Sequence, residues 1–403
     1  MKITDVKTHV VYVPFEAPIR WALGVQRGTT RTIAEVFTDE GVSGLGETIG
    51  STPRVVIEDN VRPAIVGEDP FNIEHIIMKS LWNSPWVGIN KPYALPGAAV
   101  EVACWDIIGK KTGRPICDLI GGRYRNTVEH VGYVFPRYVG SSRKGGESTP
   151  DAISEYCSNI IEKHGFKTLE MKVGIFPPEQ DVRIVKAIRE RVGYDAKLRI
   201  DANSVWSTQT AISTLKALEK YEITNVEDPT KDLESMAIVR KTVNIPFSTH
   251  SLNITEVARL GAADAIVGDV HDSGVLGGGI LPLKKLIASV QSLGLDFWLH
   301  SSNELGISMA AVCHVISSTP VITLPSQGLR IHLADDVIKG ANSIFQYDNG
   351  CIQVPKGPGL GVEVDDDKIE KYTELHKDMQ NKGEAADSYF GDITQTDWRP
   401  PYW

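Results

Sequence analysis

Cysteine is scarce in this 403-residue chain: Cys104, Cys117, Cys157, Cys313 and Cys351 are an odd number at long spacings, with no C-x-x-C among them. That excludes a disulfide framework or a zinc knuckle and fits a reducing compartment. No apolar run approaches the roughly 20 residues of a membrane span, and residues 1–15 alternate like a strand rather than forming a signal-peptide core. A cytoplasmic protein with no membrane partner is the expectation. Basic charge is also lacking: 42 Lys and Arg face 51 Asp and Glu, for a net −9 spread along the chain, which argues against nucleic acid. Finally, no G-x-G-x-x-G follows a strand-like run, which disfavours a dinucleotide fold.

What is present has two rhythms. Before residue 127 the pattern is mixed: strand-like runs at 3–13, 32–38 and 42–46, with a turn at Asp39-Glu40-Gly41, precede helical stretches near 55–65 and 96–112. This predicts a small α+β unit. From there to about residue 322, short apolar runs at 128–133, 168–173, 198–201, 225–227, 247–250, 265–269, 297–300 and 321–324 each precede a helical stretch or turn. Such βα alternation predicts a parallel sheet, and eight strands suit a closed barrel better than an open sheet. A turn-rich segment at 354–361, a helix over 366–381 and an aromatic tail ending in Trp398 and Trp403 follow. The tail is expected to pack on the body or on a second subunit.

Barrel active sites lie at the carboxyl ends of the strands, and here nearly every strand ends in a polar residue. The ends read Glu170-Met171-Lys172, Asp201-Ala202-Asn203, Glu227-Asp228-Pro229, Thr249-His250, Gly268-Asp269 and Leu299-His300. Any one of these is more ordinarily a helix cap or a turn former. Together they converge on one mouth, where like charges repel unless a cation sits between them. Asp201 and Glu227, on adjacent strands, are hard oxygen ligands suited to Mg²⁺, which completes its octahedron with water and substrate oxygens. Asp269 and His300 are expected to pair, the carboxylate fixing the tautomer of the imidazole, with Lys172 a second candidate base across the mouth. Two bases flanking a metal-bound carboxylate suit removal of the proton α to it.

The ordered set Lys172, Asp201-Ala202-Asn203, Glu227-Asp228-Pro229, Asp269 with Gly277-Gly278-Gly279, and His300-Ser301-Ser302-Asn303 resembles the enolase superfamily. The stretches Gly132-Tyr133-Val134-Phe135 and Asp269-Val270-His271 are similar to its glucarate dehydratase branch, among mandelate racemase/muconate lactonizing enzyme-type proteins. The resemblance implies an α/β fold in which an N-terminal α+β capping domain (1–127) precedes a modified (β/α)7β TIM-like barrel (128–353), and a C-terminal segment (354–403) returns to the cap. It implies a homo-oligomer acting on a small-molecule carboxylate, an acid sugar. Asp201, Glu227 and His250 would hold Mg²⁺; His300 with Asp269, and Lys172, would be the acid/base groups; Asn203, Tyr133, Glu170 and Ser302 would face the substrate. Cap segments 14–30 and 49–54 would shape specificity, and the runs 14–30 and 136–148 are irregular in sequence.

Two positions depart from that pattern. Glu170 stands where the branch has a lysine, on the same face as Lys172, and favours the ammonium form, so His300 is the preferred base and the Lys172 role stays open. His250 stands where the branch offers an oxygen or amide ligand; imidazole suits Mn²⁺ or another divalent ion better than Mg²⁺, which leaves direct ligation, ligation through water and no ligation open. The reaction expected is dehydration of an acid sugar to a 2-keto-3-deoxy acid. A racemase or epimerase on the same scaffold, and a non-catalytic barrel, are the alternatives.

Overall fold

The computed structural model describes residues 1–82, 91–140, 143–384 and 402–403. The expected packing role of the aromatic tail falls outside them except for its last two residues.

The chain opens with a three-stranded antiparallel sheet, β1 (Ile3–Trp21), β2 (Gly24–Thr38) and β3 (Ser43–Ile49). Alternation buries Val11, Val13, Phe15 and Ile19 of β1. The sheet packs on helix Lys91–Thr112 so closely that a Cβ on Gly46 would fall 1.7 Å from the Ala99 carbonyl oxygen. Only glycine permits that approach. The segment 14–30, irregular in sequence, is the far end of the β1–β2 hairpin. Pro14 and Pro18 break the alternation and the register slips between Pro14 and Ile19, yet pairing resumes from Ile19↔Gln26 to Trp21↔Gly24. This tip crosses to the second domain, where Ile19 bridges Arg137 and Arg20 N donates to the Pro136 carbonyl.

The second domain is a parallel barrel taken in sequence order: β5 (Gly132–Val134), β6 (Thr168–Lys172), β7 (Lys197–Asp201), β8 (Ile223–Glu227), β9 (Phe247–Thr249), β10 (Ala265–Gly268) and β11 (Asp296–Leu299). Two predicted strands are corrected. The run at 128–133 divides, because β4 (Thr127–Glu129) pairs antiparallel with β12 (Cys351–Gln353) before the chain turns into the barrel at β5. The run at 321–324 is a turn between Pro320 and Pro325; the barrel closes instead one step later, through Ser326, which bridges His130 on one side while Gln327 N donates to Leu299 O on the other. Prolines at both ends of an apolar run remove ladder donors, which displaces the closing stave onto Ser326 and Gln327.

The C-terminal helix Asp366–Asn381, capped by the Asp365 carboxylate on Lys368 N, packs against β1, and its Tyr372 hydroxyl donates to Asp335. Trp403 goes elsewhere: its indole donates to Gly174 O and its backbone pairs with Val205 and Ser207, on the barrel rim. The glycine run before helix Ile280–Ser292 makes a tight turn, with Gly277 and Gly279 at positive φ. The helix end is met by the Glu101 carboxylate of the cap, which accepts from Ile280 N and Leu281 N. Among the described residues no helix is long and apolar enough to cross a membrane.

One buried carboxyl outside the mouth carries a pH signature. Asp181 accepts from Gly174 N through Oδ2, its Oδ1 has no partner, and burial pushes its pKa up to about 8. The folded state therefore keeps a proton that the unfolded chain loses near pH 4, so stability falls as pH rises from about 4 to 8, by up to about 1.4 kcal/mol per pH unit. Urea unfolding across that range should show this slope in wild type and a flatter curve in Asp181→Asn, which keeps the acceptor for Gly174.

Candidate active site

The strand ends meet at one mouth. A pocket of about 290 Å³ is lined by Tyr133, Phe135, Lys172, Asn203, Asp228, His250, His300 and Asn303 from the barrel and by Trp21, Leu23 and Gln26 from the hairpin tip of the cap. The backbone is held in the left-handed region at Asn203, Ser204, Asp228 and Asn303, with φ of 47°, 64°, 36° and 64°. Residues with side chains rarely accept such angles, at roughly 1–3 kcal/mol each, and this cluster falls at the mouth.

Beneath the pocket lies a buried charge cluster. Oxygens of Glu170, Asp201 and Glu227 approach within 4.8 Å of one another, as do ligand atoms of Glu227, His250 and His300. The Lys172 ammonium donates to Asp201 Oδ2 and lies 5.2 Å above the Tyr133 ring. Asn203 holds the same carboxylate, N to Oδ1 at 2.8 Å and Nδ2 to Oδ2 at 3.0 Å, leaving its own Oδ1 buried and without a partner. Burial, then the neighbouring Asp201 and Glu170, raises the Glu227 pKa well above the carboxylate range; burial raises Glu170 to about 7, against the pull of Arg199. For Lys172, Asp201 and Glu227 outweigh burial and the net shift is upward.

The structure redistributes several expected partnerships. Asp269 does not hydrogen-bond His300. Its Oδ1 accepts from His271 twice, from N at 2.9 Å and from Nδ1 at 2.7 Å, because a residue two positions along the same loop is nearer than the next strand. Burial would raise the Asp269 pKa, but His271 and, less strongly, His300 draw it well below the usual carboxylate range. His300 instead places Nδ1 2.7 Å from Gln327 Oε1 and packs edge-on against His250, ring centroids 4.4 Å apart. Burial and then His250 push its pKa down to about 3, so the ring is neutral. Glu170, expected to face substrate, lies below the pocket: Gln327 Nε2 donates to its Oε1 at 2.6 Å and to Glu227 Oε2 at 2.7 Å. Ser302 likewise lies outside the pocket lining, its carbonyl bonded to Arg31.

Gln327 lies at the eighth strand end, Leu324-Pro325-Ser326-Gln327, which carries no charged group and so gives no strand-end signal of a site residue in the sequence. In the fold it sits at the end of the closing stave. His271 carried a signal too, as the second residue after a strand-end aspartate.

The match to known proteins covers both domains. Residues 152–368 match the family described as enolase C-terminal domain-like, and residues 3–121 match the mandelate racemase/muconate lactonizing enzyme N-terminal domain. The chain belongs to the enolase superfamily. Relatives in the superfamily include an arabinonate dehydratase of Saccharolobus solfataricus, 30% identical with 84% of this chain and 89% of that one covered. A probable glucarate dehydratase of Streptomyces coelicolor is 28% identical over 85% and 84%, and both fit the glucarate dehydratase-like branch. An N-succinyl-L-Arg/Lys racemase of Bacillus cereus is 28% identical over 93% and 98%. A superfamily structure from Thermobispora bispora, complexed with magnesium and formate, superposes with a TM-score of 0.90 at 28% identity over the full length of both chains.

Superfamily members bind Mg²⁺, and the donors here fit a divalent cation. Among the described residues, Glu227 Oε1 and His250 Nε2 are both buried without a hydrogen-bond partner, beside three carboxylates whose fixed cations are Lys172 and Arg199. Asp228 holds the His250 Nδ1 at 2.9 Å, raising the His250 pKa against its burial and leaving Nε2 as the atom available to a ligand.

Proposed function

We propose that this protein is a metal-dependent dehydratase that removes the proton α to the carboxylate of an acid sugar and expels the β-hydroxyl, giving a 2-keto-3-deoxy acid. The observation that carries the reading is the placing of His300 and Lys172 in the wall of one pocket above the Asp201–Glu227 pair. Two dehydratases among the superfamily relatives support it.

Asp201, Glu227 and His250 would hold the metal, whose charge at the substrate carboxylate would make the α-proton acidic. His300, with Nδ1 engaged by Gln327, has Nε2 left to take that proton. The Lys172 ammonium, fixed by Asp201 and stacked over Tyr133, faces the developing enediolate charge. The imidazolium then returns its proton to the departing hydroxyl, which leaves as water, and the enol product tautomerises to the keto acid. Asn203 Oδ1 and the Gln26 and Asn303 amides offer contacts to sugar hydroxyls, and Trp21 and Leu23 from the cap exclude water at the mouth.

A racemase needs Lys172 as a second base. The hydrogen bond from its ammonium to Asp201 opposes that use and favours one base serving twice. A panel of aldonic, aldaric and uronic acids in D₂O with Mg²⁺ tests the choice. Keto acid from a member of the panel is expected; deuterium incorporation at the α-carbon without loss of water overturns dehydration in favour of epimerisation.

A further inference from the structure

A chain of buried hydrogen bonds runs from the cap sheet to Asp269. Arg31, on β2, is wholly buried and spends its guanidinium on three partners: Nε on Glu47 Oε1 at 2.7 Å, one terminal nitrogen on Ser302 O at 2.9 Å and the other on His271 Nε2 at 3.0 Å. Glu47, on β3, accepts from Leu305 N and Ser308 N, both at 2.8 Å. The two loops that flank the acid/base site, 269–271 and 301–305, thus each take at least one bond from the same cap ion pair.

The direction of these bonds follows from chemistry. Arginine can only donate, so His271 Nε2, which also lies 2.9 Å from the Ser308 hydroxyl, must be the acceptor. The ring proton is then on Nδ1, which lies 2.7 Å from Asp269 Oδ1 and 3.2 Å from Ser302 Oγ, and the shorter contact to the charged oxygen takes the donation. With the His271 backbone N–H on the same atom, Asp269 Oδ1 is held twice. All the hydrogen bonds of Asp269 found among the described residues come from His271.

We propose that Arg31 and His271 are positioning residues: docking of the cap on the barrel fixes the Nδ1–H tautomer of His271, and that proton fixes the orientation of the Asp269 carboxylate beside His300. The proposal rests on the reading of His300 as the acid/base residue, on which the Asp269 charge acts through space to favour the protonated ring. It makes catalytic competence depend on the cap through a bond network rather than through enclosure of the pocket alone, since neither Arg31 nor His271 lines the pocket.

The test reads the tautomer first and turnover second. In protein labelled with ¹⁵N-histidine, long-range ¹H–¹⁵N correlation, with the His271 signals assigned by their loss in His271→Gln, should show a neutral ring protonated at Nδ1. Arg31→Lys keeps the charge beside Glu47 but loses the fork, and should give a mixture of tautomers. An Nε2–H ring or an imidazolium in wild type overturns the proposal whatever the activity. On the acid that exchanges its α-proton, His271→Ala should lower kcat by about 10–100-fold with little change in KM, the range for a group that orients another from behind, and His271→Asn, which restores a donor to Asp269, should recover most of it. Equal kcat in the Ala and Asn variants, with only the melting temperature lowered, overturns it as a purely structural contact. If no acid exchanges at all, the dehydratase reading fails, while the tautomer spectrum still decides the bond network.

Discussion

Replacing His300 with asparagine is expected to lower kcat for keto-acid formation by about 10²–10⁴-fold, the usual contribution of a placed general base. Asparagine keeps the Nδ1 branch of the ring: its side-chain amide can donate to Gln327 Oε1 where His300 Nδ1 now lies 2.7 Å away. What it removes is Nε2, the nitrogen left for the substrate. The fold should survive, because the lost ring contact is an edge-on packing against His250 rather than a core anchor. Melting temperature and kcat measured together check this. A variant that retains more than a tenth of wild-type turnover would move the base to Lys172, and the matching Lys172→Ala variant would then show the larger loss.

The second large effect should come from Glu227→Gln, and it should have opposite signs with and without metal. Glu227 is buried in the charge cluster with Oε1 lacking any hydrogen-bond partner, and its neighbours Asp201 and Glu170 repel it. A neutral amide of the same shape relieves that repulsion while its carbonyl oxygen can still accept from Gln327 Nε2. Without added metal the variant should therefore melt at or above wild type. With Mg²⁺, wild type should gain about 2.7 kcal/mol when the ion is at 100 times its dissociation constant, and the variant should show no such gain over the same range. Loss of a direct anionic ligand should weaken the ion by at least about 100-fold, more than the 10–100-fold typical of groups that only support a ligand. A thermal-shift titration with Mg²⁺ and Mn²⁺ reads both signs. Equal metal-induced shifts in the two proteins would remove Glu227 from the ligand set.

Much of this site was legible because a barrel turns sequence order into convergence. Lys172, Asp201, Glu227, His250, Asp269 and His300 are far apart in the chain, yet each ends an apolar run, and parallel strands must bring such ends to one mouth. The hydrogen-bond partners were not legible in the same way. Asp269 was expected to pair with His300 because their strands are neighbours, but the loop after β10 turns so that His271 reaches the carboxylate first. Gln327 gives no strand-end signal, because the eighth strand end carries no charged group and the stave that closes the barrel is reduced to Ser326 and Gln327.

The cap shows the same division more sharply. Its mixed strand and helix pattern was readable, but the segment 14–30 looked irregular, since two prolines disrupt the alternation that marks a strand. Only the folded chain makes it the tip of a long hairpin that sets Trp21, Leu23 and Gln26 over the barrel mouth, and nothing in the local sequence of Arg31 distinguishes it from a surface strand residue. The sequence by itself determined the fold class, the family and the set of polar residues that gather at the mouth, because periodicity and strand-end position are local properties. Which carboxylate each histidine meets, which nitrogen it presents and which cap residue completes the network were decided by tertiary structure, because a hydrogen bond selects partners over about 3 Å and depends on how loops and domains dock rather than on spacing along the chain.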